Sequence, residues 1–194
     1  MICIIPARGG SQRIPGKNKK RFCGKPIIQY SIDTAILSSL FDYIYVSTDD
    51  DEIRSLVNSY GYDNLIPIIR EPELCADEVG TQEVMREELS RISHMHSIDH
   101  WACCLYATAP LITPEEMQTA FRGLLSSSHH YCHSINRRSG ADSGSFYFGY
   151  THAFLSDIPL DGRRQVIAVD DIDINTPEDW ARAENLYEER YGTK

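Results

Sequence analysis

Short apolar segments alternate with amphipathic segments along most of this chain, and that alternation is the feature that most restricts its fold. Four segments are apolar throughout instead of at every second residue, as is typical of strands buried on both faces of a parallel sheet. They are residues 2–5, 43–47, 65–69 and 101–106. The sequence therefore predicts an α/β protein with a mostly parallel central sheet.

The segments between these strands carry helix signals. Helices are predicted from Pro26, a favoured first-turn residue, over 51–60 and over 81–92. Two further helices are predicted to begin at Thr113 and Thr176, because Thr-Pro followed by acidic residues is typical of a capped first turn. The order of strands and helices is therefore that of a chain winding repeatedly across one sheet.

The net charge of −9 is distributed very unevenly along the chain. No Asp or Glu precedes Asp33, and the Lys and Arg residues of this acid-free stretch give +7, so the rest of the chain sums to −16. A chain this acidic lacks the broad basic face that duplex nucleic acid requires, whereas a local cationic pocket suits a small polyanion. We therefore expect no nucleic-acid partner. A solvated charge run is the alternative, but the glycines and prolines among these cations argue against an exposed helix.

Several sequence features indicate the cellular compartment of the protein and argue against a zinc site. The opening "MICII" is too short for the apolar core of a signal peptide and is ended by Pro6, and no apolar run approaches the length of a membrane span. The six cysteines show no C-x-x-C spacing. The group of His129, His130, Cys132 and His133 lacks a second ligand pair at zinc-like spacing, which argues against zinc. We expect a cytoplasmic protein with reduced thiols and no membrane partner.

The first predicted strand is followed by "PARGGSQRIPGKN", residues 6–18. A glycine-rich turn there lies at the carboxyl edge of the sheet, where backbone N–H groups can approach phosphate oxygens. Neither the Walker pattern nor the dinucleotide pattern fits, because Ser11 stands where both require glycine. What remains is Arg8 and Lys17 at opposite ends of a loop stiffened by Pro15. Two fixed cations around a glycine turn suit a triphosphate.

Several separated stretches, in the same order, resemble the cytidylyltransferases that activate nonulosonic acids, the CMP-sialic acid synthetase family. They are "IIPARGGSQRIPGKN", "GKPIIQYSIDTAILSSLFDYIYVSTDDDEI", "REPELCAD" and "DINTPEDWARAENLY", while "LYATAP" and "DSGSFYFG" are most similar to the pseudaminic acid branch. The resemblance implies a three-layer, Rossmann-like nucleotidyltransferase fold and a homodimer. It also implies the reaction, in which the anomeric hydroxyl of a nine-carbon α-keto acid sugar attacks the α-phosphorus of CTP and releases pyrophosphate, with Mg²⁺ as the cofactor.

The resemblance also implies the site residues. Arg8 would grip the triphosphate, Lys17 would stabilise the α-phosphate as it becomes five-coordinate, and Asp173 would complete the catalytic set. The nucleotide-binding residues would be Ala7, Arg8, Gly9, Gly10, Ser11, Asn18, Arg70 and Thr81, and the sugar-binding residues would be Tyr106, Thr108, Phe146 and Tyr147. A turn residue at Asn18, a helix cap at Thr81 and a core residue at Tyr106 are equally consistent with the sequence.

The predicted metal ligands depart from the family pattern D-I-D-T at one position. Aligned on "TPEDW", this chain has Asp173 in the first acidic position and Asn175 in the second, so the second acid is an amide that brings an oxygen but no charge. Strand alternation would place Asp171 on the same side, so Asp173, Asn175 and Asp171 are the predicted metal ligands, in that order. A second acidic group, "TDDDE" over 48–52, is predicted to cap a helix instead.

The region 126–164 breaks the alternation and contains one strand-like piece, "SFYFG". We expect a single cytidylyltransferase domain over 1–194, with 129–165 as an inserted arm for sugar binding and dimerisation that is shorter than the family pattern. Either the arm is truncated or the chain lacks residues there. Candidates to bind the sugar carboxylate are Arg137, Arg138, Arg163 and Arg164, because guanidinium groups pair with carboxylates in a bidentate way.

Two alternative functions stay open at this point. One is another sugar-nucleotide pyrophosphorylase on the same fold, of the 3-deoxy-octulosonate or hexose phosphate type, although Tyr106-Ala107-Thr108 lacks the aspartate that such sites keep after the fourth strand. The other is a non-catalytic nucleotide-binding remnant. Retention of Arg8, Lys17 and Asp173 argues against a remnant.

Overall fold

The computed structural model describes residues 1–76, 78–94, 100–156, 158–160 and 164–192. The strands are β1 (Ile2–Pro6), β2 (Arg21–Phe22), β3 (Lys25–Pro26), β4 (Tyr43–Thr48), β5 (Leu65–Ile69), β6 (Trp101–Leu105), β7 (Tyr131–Asn136), β8 (Asp142–Tyr150) and β9 (Arg164–Val169). The helices are α1 (Ile27–Ser38), α2 (Asp51–Ser59), α3 (Thr81–Ser93), α4 (Pro114–Leu125), α5 (Thr151–Leu155) and α6 (Pro177–Tyr191).

Seven strands form the central sheet in the order β5-β4-β1-β6-β8-β7-β9. Strands β5, β4, β1 and β6 pair in parallel, β8 runs antiparallel to both of its neighbours, and β7 and β9 are again parallel. The predicted α/β class with a mostly parallel sheet is confirmed. Strands β2 and β3 form a separate small hairpin directly after the glycine-rich loop.

Helices cover both faces of the sheet because its inner strands, such as β1, β4 and β6, present apolar side chains in both directions. One core cluster joins the sheet to α1, α2 and α4 through residues such as Ile32, Val57 and Met117. The cluster on the opposite face joins it to α3 and α5 through Leu89 and Phe154. The result is a three-layer arrangement whose loops after β1, β4 and β6 meet at one edge.

A third cluster lies at this edge and anchors α6. Phe22 packs edge-to-face against Trp180 and Tyr30, with ring centroids 5.5 Å apart in both pairs. Ile14, from within the glycine-rich loop, is buried in the same cluster. The loop and the first turns of α6 are thereby fixed to one apolar base.

The predicted helix starts at Thr113 and Thr176 are confirmed, and both residues form capping boxes with the acid three positions later. The predicted strands are confirmed with ends that differ by one residue at most. The prediction that residues 65–69 are buried on both faces was wrong. This segment forms β5, the outer strand of the sheet, and Ile69 is 59% exposed.

The small hairpin of β2 and β3 was not predicted, and neither were two strands of the central sheet. β7 carries His133 and Ser134, and β9 begins with polar residues and is half-exposed along an edge. Neither segment has the continuous apolar sequence that marked the other strands. Most of the predicted arm, 129–165, thus consists of strands and a short helix that join the main sheet, and its role in sugar binding and dimerisation stays a prediction.

Candidate functional site

A cavity of about 480 Å³ opens at the carboxyl ends of the parallel strands. The predicted residues Arg8, Ser11, Lys17, Asn18, Arg70, Thr81, Tyr106 and Thr108 line it, together with Pro6, Gln12, Arg13, Ala76, Val79, Val84 and Ala107. The structure therefore brings together residues that are separated by up to a hundred positions in the sequence. Of the predicted nucleotide-binding residues, Ala7 is fully buried in the core, and Gly9 and Gly10 lie beside the cavity without lining it.

The glycine-rich loop is held in place by bonds to its own backbone. Asn18 donates its amide N–H to the carbonyl of Arg8 at 2.9 Å, and the Gly9 N–H donates to Asp49 Oδ1 at 2.6 Å. Gly16 takes the left-handed conformation, with φ of 60°, and starts the short 3-10 helix that presents Lys17. Asn18 thus shapes the loop as well as lining the cavity. The Gly9 N–H is likewise occupied by a partner within the protein.

Four cations line the cavity: Arg8, Arg13, Lys17 and Arg70. Burial lowers the pKa of Lys17, and the charges of Arg13 and Arg8 lower it further, although Asp173 acts in the opposite direction. Burial also lowers the pKa of Arg70, to which Arg8 contributes. Arg70 is only 6% exposed, and its Nε has no hydrogen-bond partner in the described part of the chain. A buried cation with an unsatisfied donor favours an anionic ligand.

Lys17 connects the loop to the predicted metal ligands. Its ammonium donates to the carbonyl of Ile174 at 2.7 Å. Of the charges around Lys17, that of Asp173 does most to raise its pKa and so to favour the charged ammonium. Asp173 in turn accepts a hydrogen bond from the amide of Asn175 at 2.5 Å. Lys17, Asp173 and Asn175 therefore lie together, as the sequence predicted.

Asp171 is placed differently. The strand β9 ends at Val169, so the segment that follows does not alternate its side chains in the way the prediction assumed, and that premise was wrong. Asp171 is 1% exposed, and its carboxyl accepts a hydrogen bond from the Ser145 hydroxyl. Burial raises the pKa of Asp171 to about 7. The structure thus buries Asp171, whereas Asp173 is exposed and Asn175 is half-buried.

The donor set of Asp173 and Asn175 fits a Mg²⁺ ion that shares its coordination with phosphates. Mg²⁺ is commonly held by one or two carboxylates together with substrate oxygens. Burial raises the pKa of the Asp173 carboxyl, and the nearby Asp142 and Asp179 raise it further, which is the electrostatic situation a divalent cation relieves. No three His, Cys, Asp or Glu side chains are grouped for a metal within the described ranges. The chain alone offers an incomplete shell.

The predicted sugar-binding residues divide into two groups. Tyr106 and Tyr147 lie next to each other, with ring centroids 6.2 Å apart, and the Tyr147 hydroxyl donates to Asp142. The Tyr106 hydroxyl bonds to Thr81 across the cavity. Phe146 is fully buried on the other face of the sheet, because neighbours on β8 alternate, so its side chain is not placed to touch a ligand.

The helix-cap alternative for Thr81 was wrong, since Gly80 is the N-cap of α3 and no side chain caps that end. The cap prediction for "TDDDE" is confirmed, because Asp50 accepts from the N–H groups of Glu52 and Ile53. Lys19 pairs with both Asp50 and Glu52, at 2.8 and 2.9 Å. These acids are therefore engaged in structure next to the loop.

The candidate arginines are scattered. Arg137 pairs with Asp170 at 3.2 Å and donates to the Ala168 carbonyl. Arg138 lines a second cavity of about 730 Å³, which adjoins Asp173 from the side of α6. Arg164 is exposed on the edge strand β9, and Arg163 lies outside the described residues. The three described arginines, Arg137, Arg138 and Arg164, are not gathered around the Tyr106 and Tyr147 pair.

Three polar residues near the site were missed. Asp49 bonds the Gly9 amide, Asp142 accepts from Tyr147, and His133 is fully buried and stacks on Tyr147 with ring centroids 5.6 Å apart. Among the residues that the structure describes, neither ring nitrogen of His133 has a hydrogen-bond partner, and burial lowers the pKa of its imidazole. Asp49 could have been found from its place directly after a parallel strand; the other two depend on pairing between β7 and β8.

Comparison with known proteins gives a consistent picture. The model of the cytidylyltransferase family matches residues 2–146. A pseudaminic acid cytidylyltransferase from Campylobacter jejuni is 41% identical over 120 residues, which cover 62% of this chain and 51% of the relative. A CMP-N,N'-diacetyllegionaminic acid synthase from Legionella pneumophila is 32% identical over the same shares. The chain spans about half the length of these curated relatives.

Solved structures share the fold. A structure of CMP:2-keto-3-deoxy-manno-octonic acid synthetase complexed with CTP has a TM-score of 0.73 at 18% identity, covering 97% of this chain and 98% of that one. A 4-diphosphocytidyl-2C-methyl-D-erythritol synthase from Anaerococcus prevotii has a TM-score of 0.67 at 14% identity, covering 96% and 97%. At these identities the likeness concerns the fold. Among the described residues, no helix is long and apolar enough to span a membrane.

Proposed function

Because the chain belongs to the cytidylyltransferase family, we propose that it transfers the cytidylyl group of CTP to a nonulosonic acid, with pseudaminic acid as the first candidate. The products are the CMP-sugar and pyrophosphate. The proposed acceptor follows the printed names of the relatives, which act on pseudaminic acid, N,N'-diacetyllegionaminic acid and N-acylneuraminate.

One observation carries this proposal: Arg8, Lys17 and Arg70 converge on a single cavity that Asp173 adjoins through Lys17. A triphosphate carries several negative charges, and three cations fixed around a glycine-rich turn neutralise them. The cavity of about 480 Å³ is in the size range of small-ligand sites.

The reaction forms one bond and breaks one. The anomeric oxygen of the sugar bonds to the α-phosphorus, the bond from that phosphorus to the bridging oxygen of the β-phosphate breaks, and pyrophosphate leaves. The hydroxyl proton of the sugar leaves to solvent. Arg8 and Arg70 hold the triphosphate, and Lys17 stabilises the added negative charge on the α-phosphate oxygens. A bond from Lys17 to the Ile174 carbonyl holds its ammonium in place.

The sugar is placed by Tyr106, Thr108 and Tyr147. Tyr106 and Tyr147 present adjacent rings beside the cavity, and their hydroxyls are oriented by Thr81 and Asp142. Phe146 supports this wall from the core side. The sugar would have to meet the α-phosphorus on the side opposite to the leaving pyrophosphate, and this wall is our candidate for holding it there.

A Mg²⁺ ion would be held by Asp173 and Asn175 together with phosphate oxygens, with Asp171 as a structural carboxyl behind them. Its chemistry there would be to neutralise phosphate charge and to favour the ionised form of the sugar hydroxyl. Turning the Asn175 amide would direct its oxygen to the ion.

Two further expectations belong to the same proposal. We propose a homodimer, supported by the unpaired edge of β9, where Val166 is 47% exposed. We also propose a cytoplasmic enzyme, where CTP is available; its six cysteines are all free. Light scattering of the purified protein tests the first, and fractionation of cells the second.

The experiment is pyrophosphate release from CTP and Mg²⁺, with pseudaminic, legionaminic and N-acetylneuraminic acids in separate reactions. Release with one or more of them supports the proposal and ranks the acceptors. No release with any sugar, together with measurable CTP binding, would favour the non-catalytic remnant. Release only with 3-deoxy-octulosonate or a hexose phosphate would favour the other pyrophosphorylase classes.

A further inference from the structure

The peptide group between Arg8 and Gly9 is bonded at both of its polar atoms. Its carbonyl accepts from Asn18 and its N–H donates to Asp49 Oδ1. A planar peptide turns as one unit, so partners for the C=O and the N–H on opposite sides hold it in one orientation. This orientation determines where the Arg8 side chain leaves the backbone and where the next amides of the turn point.

The Arg8 side chain ties the loop to the segment around Cys75. Arg8 donates from Nη1 to the carbonyl of Cys75 at 2.8 Å. The Cys75 thiol donates to the Glu71 carbonyl at 3.4 Å; burial raises the pKa of that thiol, and the charge of the nearby Asp49 carboxylate contributes to raising it further. Asp49 therefore lies close to both ends of this contact, and its bond to the Gly9 N–H holds the end that belongs to the loop.

The loop approaches the 49–50 segment closely. A Cβ added at Gly9 would lie 3.2 Å from the Asp50 Cβ, and 3.6 Å from Asp49 Oδ1. Any larger side chain at position 9 would push the loop away from its carboxylate partner. The glycine thus permits the contact between the Gly9 N–H and Asp49.

We propose that Asp49 is a positioning residue for the triphosphate: it clamps the Arg8–Gly9 peptide so that the Arg8 side chain and the later amides of the turn face the phosphates. This inference rests on the proposed function, because it assumes that the cavity binds CTP. Asp49 itself faces the peptide and does not touch the ligand.

The clamp and plain electrostatics predict opposite signs. Removing a negative charge beside a polyanion site strengthens anion binding if Asp49 acts only by its charge. Removing the clamp weakens binding, because the loop must then be ordered by the ligand at a cost in conformational entropy. Whether ligand binding becomes weaker or stronger without Asp49 therefore distinguishes the positioning role from a purely electrostatic one.

The test is calorimetric titration of CTP and of pyrophosphate into wild type, Asp49→Ala, Asp49→Asn and Asp51→Ala. Asp49→Ala loses the acceptor, and we expect about fivefold weaker binding of both ligands, the effect of one hydrogen bond of ordinary strength. Asp49→Asn keeps an acceptor oxygen and is expected to stay within about twofold of wild type. Asp51→Ala is the matched control, since Asp51 pairs with Arg54 on the exposed side of α2. It removes the same charge without a loop contact and should bind no more weakly than wild type.

Each outcome bears on the inference. Binding by Asp49→Ala that equals or exceeds wild type would overturn the clamp, as would equal losses in the alanine and asparagine variants. Wild type that binds neither CTP nor pyrophosphate would overturn both proposals. Wild type that binds CTP but releases no pyrophosphate with any sugar would overturn the proposed function alone, and the affinities of the variants would still decide the clamp.

Discussion

The two sides of the candidate site are built in different ways. The nucleotide side, formed by residues 6–18 with Arg70, comes largely from one continuous loop whose backbone is bonded to Asn18 and Asp49. The acidic side, formed by Asp142, Asp171, Asp173 and Asn175, is assembled from β8 and the segment after β9. On the nucleotide side the polar groups hold the loop in shape. On the acidic side, burial and neighbouring acids raise the pKa of Asp173.

The comparison indicates that the two sides differ in how much they must reorganise before a ligand binds. Cations that stand ready for phosphates cost little reorganisation when a nucleotide arrives. Carboxyls with raised pKa values are electrostatically unfavourable until a cation or a proton reaches them. We therefore expect substitutions on the nucleotide side to cause the largest losses of activity. Substitutions on the acidic side should change how activity depends on metal concentration and on pH.

The largest effect is expected at Lys17 on the nucleotide side. Lys17→Ala removes the ammonium that we propose to face the α-phosphate and should lower turnover by about 10³-fold, with the fold retained. Turnover with saturating substrates measures this, and thermal melting checks the fold. Lys20→Ala is the control, because the Lys20 ammonium lies over the Trp180 ring at 4.6 Å and outside the cavity. If Lys17→Ala turned over as wild type does, the assignment of the loop would be wrong.

The next effect separates the two sides by metal. Asp173→Asn removes the exposed carboxylate of the acidic side, and we expect turnover to fall by about 100-fold and the Mg²⁺ concentration for half-maximal rate to rise. Asn175→Asp adds a carboxylate beside it and should preserve or raise activity. Both are followed by pyrophosphate release over a Mg²⁺ titration. Equal Mg²⁺ dependence in wild type and Asp173→Asn would contradict the metal role.

The same difference explains what the sequence could predict. Strands at 2–5, 43–47 and 101–106 are buried and continuous in apolar residues, and the capped helices at Thr113 and Thr176 follow local rules, so both were found. The nucleotide side is likewise mostly local, since its turn and three of its four cations, Arg8, Arg13 and Lys17, lie within residues 6–18. Local chemistry is readable from a single sequence.

The acidic side could not be predicted equally well. Its geometry depends on β7 and β9, whose sequences lack a continuous apolar run, and on the end of β9 at Val169. Assuming that the strand continued placed Asp171 beside Asp173, whereas the structure buries it against Ser145. The orientation of Phe146 and the Asp142–Tyr147 bond likewise follow from register between strands, which a single sequence does not carry.

A smaller effect is expected at the wall next to the acidic side. Tyr147→Phe removes the hydroxyl that donates to Asp142 and leaves the ring beside Tyr106. We expect the KM for the sugar to rise by about fivefold with the KM for CTP unchanged, because one hydrogen bond that orders the wall is lost. Steady-state kinetics with each substrate varied in turn gives both values. Tyr43→Phe, on the distant start of β4, serves as the control, and a rise in the CTP value alone would place Tyr147 on the nucleotide side instead.

The last prediction concerns stability and isolates the buried carboxyl from catalysis. Burial raises the pKa of Asp171 to about 7, so between about pH 4 and pH 7 the native state binds one more proton than the unfolded chain. Its contribution to stability is therefore present at low pH and is lost as the pH rises through this window.

Asp171→Asn has no charge to bury, so it should raise the free energy of unfolding by on the order of 2 kcal/mol at pH 8 and change it little at pH 4. Urea unfolding at both pH values, in buffer free of divalent ions, measures this difference. Asp170→Asn is the neighbouring control, since Asp170 pairs with Arg137 at the surface and should show the same small change at both pH values. Equal free energies of unfolding for Asp171→Asn and wild type at pH 8 would mean that the ionised Asp171 carboxyl does not destabilise the folded state. The contrast with the nucleotide side would then rest on Asp173 alone.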